Sequence, residues 1–175
     1  MHRLSVDEFK AASKLPLIVV LDNVRSLHNV GSVLRSCDAF RVEAVYLCGI
    51  TATPPSAEIH KTALGAEDSV TWKYFAQTTD AINELHAKGT KVYAVEQVAG
   101  STMLQNLDTE VGTRYAVVLG NEVKGVQQTA VDLCDGCLEI PQFGTKHSLN
   151  VSVAAGIVVW EFAKKIGKGE EVKRR

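Results

Sequence analysis

Short apolar bursts alternate with amphipathic stretches along almost the whole chain. The bursts run from Leu15 to Asp22 ("LPLIVVLD"), Val42 to Ile50, Ser69 to Phe75, Lys91 to Val98, Arg114 to Gly120 and Gly136 to Pro141. Each is short, rich in β-branched residues and bounded by turn formers, which predicts six strands. Between them, 29–40, 57–64, 78–89 and 125–135 carry apolar residues at helical spacing, and the third has Thr78 as a candidate cap and Gly89 as a stop. The final run, "LNVSVAAGIVVWEFAKKI" (149–166), is too long for an ordinary strand of about 5–6 residues. Its small residues Ser152, Ala154, Ala155 and Gly156 suit a helix packed closely against a neighbour. Strands that are apolar on both faces and alternate with helices predict an α/β fold on a largely parallel sheet.

Ligands of such folds sit at the carboxyl ends of strands. Three polar loops occupy such ends, after Asp22, after Leu119 and after Pro141. The first, "LDNVRSLHNVGSVLRSCDAF", lacks the glycines of dinucleotide and phosphate loops. Asn29 as a helix cap and Arg35 as a solvated side chain account for that loop in isolation. The second, "VVLGNEVKGV", sets Gly120 and Gly125 around Glu122, which an ordinary turn also explains. In the third, "IPQFGTKHSLN", Ser148 or Asn150 is placed to cap the last helix, and no G-x-S-x-G elbow makes Ser148 a nucleophile.

Composition narrows the picture. The chain of 175 residues is long enough for one complete core, with 46% apolar and 22% charged residues. The start "MHRLSVDEFKAASKL" has no secretory core, so the cytoplasm is expected. Cys37, Cys48, Cys134 and Cys137 are expected as reduced thiols without a disulfide. The C-x-x-C of Cys134 and Cys137 has no second pair to complete a metal site, and none is expected. A net charge of -1 gives no global basic field, although residues 164–175 hold six basic and two acidic residues. A solvated tail and an RNA contact explain that cluster equally well.

Taken in order, the three loops resemble the signature motifs of the SpoU (TrmH-like) family of RNA ribose 2'-O-methyltransferases, within the SPOUT superfamily. The matching residues are Asn29, Gly31 and Arg35, then Gly120, Glu122 and Gly125, then Ile140, Pro141, Ser148, Leu149, Asn150, Ser152 and Ala154. The likeness spans about Leu17 to Trp160. It departs at Arg41, where the family often has glycine.

The resemblance implies a single methyltransferase domain over 1–175, with a short N-terminal segment 1–16 and a basic tail 164–175. It implies a C-terminal deep trefoil knot, which pattern reading alone would not suggest. It implies a homodimer and methyl transfer from S-adenosylmethionine to a ribose 2'-hydroxyl of tRNA or rRNA. By carry-over, Leu119, Gly120, Glu122, Ile140, Ser148, Leu149 and Asn150 hold the cofactor. Arg35, Asn29, Glu122 and Asn150 carry the chemistry. Arg35, Arg41, Lys61, Lys73 and Lys146 contact RNA, with His147 nearby, and no metal or membrane is involved. An arginine stays protonated, so Arg35 is expected to bind phosphate and stabilise charge on the 2'-oxygen, not to act as a base. Two other readings stand beside this one: an RNA-binding or assembly factor without turnover, and an α/β enzyme of another nucleotide.

Overall fold

The structure is a computed structural model and describes residues 3–167. Its strands are β1 (Leu15–Asp22), β2 (Val42–Cys48), β3 (Trp72–Phe75), β4 (Lys91–Val95), β5 (Thr102–Met103), β6 (Tyr115–Leu119) and β7 (Gly136–Glu139). They form one sheet in the order β3-β2-β1-β6-β4-β7-β5, and every pairing in it is parallel. The helices are α1 (Val6–Ala11), α2 (Leu27–Ala39), α3 (Ala57–Ala63), α4 (Ala66–Ser69), α5 (Thr78–Ala87), α6 (Gln128–Leu133) and α7 (Val151–Ile166).

Alternation along β1 explains the layering. Leu17, Val19 and Leu21 enter a core with Val30, Val33 and Leu34 of α2, Ile59 of α3 and Ala155, Val158 and Phe162 of α7. Ile18 and Val20 face the opposite core with Ala81, Ile82 and Leu85 of α5 and Ala130 of α6. A strand buried on both faces needs apolar residues at every position, which is why β1 and β6 read as unbroken apolar runs.

Boundaries moved where local caps overrode propensity. The expected strand from Ser69 begins only at Trp72, because Ala66–Ser69 forms a short helix entered through Gly65 at φ +98°. The helix expected from Asn29 starts at Leu27, since the Ser26 hydroxyl accepts the Asn29 N–H and serves as the cap. Thr78 does not cap α5; its hydroxyl donates to buried Asp22 at 2.6 Å. Asp22 also accepts from the Gln127 backbone and side chain, tying β1, α5 and the loop before α6 together. Gly89 does follow α5 with a positive φ. Arg41 stands at φ +50°, a left-handed position that glycine adopts without cost, which explains the residue the resembled family often has there. The N-terminal segment is folded as well: Ser5 and Glu8 make a capping box for α1, and Phe9 is buried. Of the basic tail, residues 168–175 lie outside the described part. Lys165, still on α7, donates to the carbonyls of Gln105 and Leu107.

Candidate active site

A pocket of about 320 Å³ opens at the carboxyl ends of β4, β6 and β7. Its apolar lining comes from Val95, Leu119, Leu138, Ile140, Leu149, Val151 and Ala154. Its polar lining includes Glu96, Gln97, Glu122, Lys124, Gln142, His147 and Ser148. The loop from Gly120 to Gly125 bends back on itself, with Asn121 and Gly125 exchanging backbone hydrogen bonds at 3.0 and 2.9 Å. The Asn121 side-chain oxygen accepts from the Val123 and Lys124 N–H groups inside the turn. Two glycines are obligatory here. A Cβ on Gly120 would lie 2.1 Å from the Gly125 carbonyl carbon and the Val126 nitrogen, and Gly125 sits at φ +70° against the Glu96 carboxylate.

Beside this pocket the three motif loops are joined by one hydrogen-bonded chain. Both Glu122 oxygens accept, Oε2 from Arg25 N–H and Oε1 from Ser26 N–H, each at 3.0 Å. Glu122 Oε1 also accepts from Asn29 Nδ2 at 3.1 Å, so the Asn29 oxygen is left to accept from Asn150 Nδ2 at 3.2 Å. A carboxylate can only accept, and that single fact fixes the orientation of both amides down the line. Asn150 Oδ1 then accepts from the backbone N–H of Ser152 and Val153 and from the Ser152 hydroxyl, capping α7. Burial pushes the Glu122 carboxyl up, but the N–H groups of Ser26 and Arg25 outweigh it and hold the group below the ordinary carboxylate value.

Leu119, Gly120, Glu122, Ile140, Ser148 and Leu149 all line the pocket, whereas Asn150 does not and is spent on α7 and Asn29. His147, expected only near the site, is part of the lining. Arg35 is exposed on α2, outside the pocket lining, and has no hydrogen-bond or ion-pair partner among the described residues. It lies six residues past Asn29, about 9 Å along the helix at 1.5 Å per residue, so neither Asn29 nor Glu122 orients it within one chain. Gly31 serves packing: a Cβ there would lie 2.1 Å from the Thr62 hydroxyl and 2.3 Å from the Ile59 carbonyl, so α2 and α3 meet through it. Among the expected RNA contacts, Lys61 pairs with Glu58, which also meets His28 on the first turn of α2, and Lys73 pairs with Glu84 on the edge strand β3; neither lysine lines the pocket. Lys146 is exposed in the last loop, next to His147, while Arg41 is half-buried at the α2–β2 turn.

Sequence reasoning missed Glu96 and Gln97, which follow β4, and Gln142. An isolated acid inside an apparent strand gave no signal. Cys134 and Cys137 are unbridged, and burial raises both thiols, Cys134 to about 12. No group of three or more His, Cys, Asp or Glu side chains among the described residues is placed to hold a metal, and no helix among them is long and apolar enough to cross a membrane.

The profile described as the SpoU rRNA Methylase family matches residues 16–160. The chain is 36% identical over 156 residues to the 23S rRNA (guanosine-2'-O-)-methyltransferase RlmB of Nitrosomonas europaea, covering 89% of this chain and 58% of that one. It is 31% identical over 161 residues to the protein of the same name from Vibrio cholerae, covering 92% and 64%. It thus spans about three-fifths of the length of these curated relatives. Among solved structures, the A. aeolicus TrmH/SpoU tRNA modifying enzyme superposes with a TM-score of 0.80 at 26% identity, covering 91% of this chain and 81% of that one. An AdoMet-bound rRNA methyltransferase from Sinorhizobium meliloti superposes at 0.78 with 29% identity, covering 87% and 60%.

Proposed function

This chain belongs to the SpoU rRNA methylase family, and from that premise we propose that its pocket binds S-adenosylmethionine and serves methylation of a ribose 2'-hydroxyl in rRNA. The lining fits that cofactor. The volume lies in the range of small-molecule sites. Leu119, Leu138, Ile140 and Leu149 offer apolar surface to a purine, Gly120 and Gly125 let backbone come close, and Glu96 supplies an acceptor while Glu122 shapes the wall. The observation that carries the reading is the joining of three distant motif loops at one set of strand ends by the Glu122–Asn29–Asn150 chain. The names of the RlmB relatives favour guanosine in 23S rRNA as the target.

When bound, S-adenosylmethionine supplies an activated methyl group on a sulfonium, so the protein need supply no nucleophile. The work left to the chain is positioning. Glu122 and Asn29 hold the start of α2, on which Arg35 stands, and Asn150 fixes the start of α7. Arg35, permanently cationic and without a partner among the described residues, is suited to hold a substrate phosphate and to stabilise negative charge on the 2'-oxygen. Ser148 and Leu149 shape the wall that faces the methyl donor. Lys146 and Arg41 are assigned to the RNA backbone, and Lys61 and Lys73 to its periphery.

The finer architecture follows the same premise. The segment after β7 returns across the sheet to place α7 against α2 and β1, a course consistent with the C-terminal trefoil knot of this fold. The described residues 3–167 are read as one domain. The outer face of α7 exposes Val153 (51%), Ile157 (38%) and Trp160 (52%) at helical spacing, which supports a homodimer across that helix. The enzyme is placed with its RNA in the cytoplasm.

Calorimetry with S-adenosylhomocysteine, followed by turnover of Arg35→Ala, tests this reading. Binding by the wild type, with the variant binding ligand and RNA normally but losing turnover at least about a hundredfold, is expected for a charge-stabilising group. Absence of ligand binding removes the cofactor assignment, and wild-type turnover by Arg35→Ala removes the role of the arginine.

A further inference from the structure

Two carboxylates line the pocket, and their hydrogen bonding differs. Glu122 has both oxygens engaged by the start of α2, three donors in all, so it has little left for a ligand. Glu96 is only half engaged. Its backbone N–H donates to the Leu138 carbonyl at 3.1 Å, and its Oε1 accepts the Val126 N–H at 2.6 Å. The carboxylate can lie there because residue 125 is glycine; a Cβ would stand 2.3 Å from Oε1. Oε2 has no hydrogen-bond partner among the described residues, and Lys124, in the same lining, does not pair with it. The acid is therefore held by one oxygen while the other stays open.

Resting on the cofactor reading above, we infer that Glu96 Oε2 accepts hydrogen bonds from the vicinal ribose hydroxyls of the adenosyl ligand, and that Glu96, not Glu122, is the carboxylate that recognises the ligand. The placement selects the hydroxyls over the ligand's ammonium group. Glu96 follows Val95 of the apolar lining directly, and its backbone N–H is bonded to Leu138, part of the surface suited to the purine. A group beside that surface meets what is attached directly to the purine, which is the ribose. The ammonium lies at the other end of the ligand, several bonds further on. A single charged acceptor facing two adjacent O–H donors is also the arrangement that acidic residues at strand ends provide for ribose in other α/β nucleotide sites.

Glu96→Gln tests the assignment, because an amide oxygen still accepts from Val126 while an NH₂ donor replaces the open acceptor. Calorimetry uses two probes, S-adenosylhomocysteine and 5'-methylthioadenosine, which share the ribose but differ in the amino-acid end. The variant is expected to bind both at least about tenfold more weakly and by the same factor, with an unchanged Tm. Unchanged affinity for both, or loss for S-adenosylhomocysteine alone, overturns the assignment; the second outcome would give Glu96 to the ammonium. A ligand-side measurement covers the case in which the variant unfolds: the wild type should prefer adenosine to 2',3'-dideoxyadenosine in displacing 5'-methylthioadenosine, and equal displacement refutes the contact. If the wild type binds neither S-adenosylhomocysteine nor 5'-methylthioadenosine, the cofactor reading itself fails.

Discussion

Replacing Gly120 by alanine perturbs the site through backbone alone. The added methyl would stand 2.1 Å from the Gly125 carbonyl carbon, 2.1 Å from the Val126 nitrogen and 2.4 Å from the Gly125 oxygen. Backbone atoms cannot swing aside as a side chain would, so the two arms of the turn must part. Two hydrogen bonds span that gap, Asn121 N to Gly125 O and Gly125 N to Asn121 O, and a third, Val126 N to Glu96 Oε1, ties the far arm to the end of β4. At roughly 0.5–1.5 kcal/mol each, offset by water entering an open turn, their weakening costs about 2 kcal/mol. For a domain of this size that lowers Tm by about 4–8 °C. Because Leu119, Gly120 and Glu122 lie on the same turn, S-adenosylhomocysteine should bind at least about tenfold more weakly. Gly144→Ala is the matched control: it lies in the third motif loop, has no heavy atom within 4 Å of an added Cβ, and should leave both quantities unchanged. Differential scanning calorimetry and ligand titration read the outcomes. A Gly120→Ala protein with wild-type Tm and affinity would refute the claim that backbone proximity at this turn builds the pocket.

Three further outcomes follow. Val153 and Ile157 are exposed in the single chain, so Val153→Asp with Ile157→Asp should leave Tm of the protomer nearly unchanged while converting a dimer to a monomer in sedimentation velocity; a monomeric wild type would refute the dimer surface. Glu122 titrates below the ordinary carboxylate value of 4.5, so its contribution to stability is present above that value and is lost as pH falls through the lower folded value; Glu122→Gln should flatten the acid limb of the stability curve, and an identical limb would count against the network. Burial raises the Cys48 and Cys134 thiols to about 12, so native protein should react with a thiol-specific disulfide reagent far more slowly than denatured protein; rapid labelling of Cys134 would show that α6 opens readily.

The sheet was legible because its central strands β1, β2 and β6 are apolar on both faces, a pattern that few other arrangements require. The short elements were not. β5 has two residues and no pattern to read, and α4 is a single turn set by Gly65. The capping box of Ser5 and Glu8 was readable in principle, since Ser-x-x-Glu precedes an amphipathic turn. At the site, the motif loops gave most of the pocket lining but little of the connectivity. Asn29 looks like a cap because asparagine favours that position, yet Ser26 takes the cap and frees the Asn29 amide to bridge Glu122 and Asn150. Those three residues are 93 and 121 positions apart in sequence, measured from Asn29, and local pattern cannot pair them. Glu96 was invisible for a different reason: the strand "KVYAV" ends one residue before it, and only the fold shows that this acid faces a pocket.

The central claim is that these strand-end loops serve ribose methylation, and nucleoside mass spectrometry tests it most directly. Purified protein would be incubated with S-adenosylmethionine and unmodified 23S rRNA transcript, and the RNA digested to nucleosides. A 2'-O-methylated nucleoside, formed by the wild type and lost in Arg35→Ala, is the predicted result. Methylation on a base, or binding of S-adenosylhomocysteine with no 2'-O-methyl product on 23S rRNA or any other RNA supplied, would contradict it.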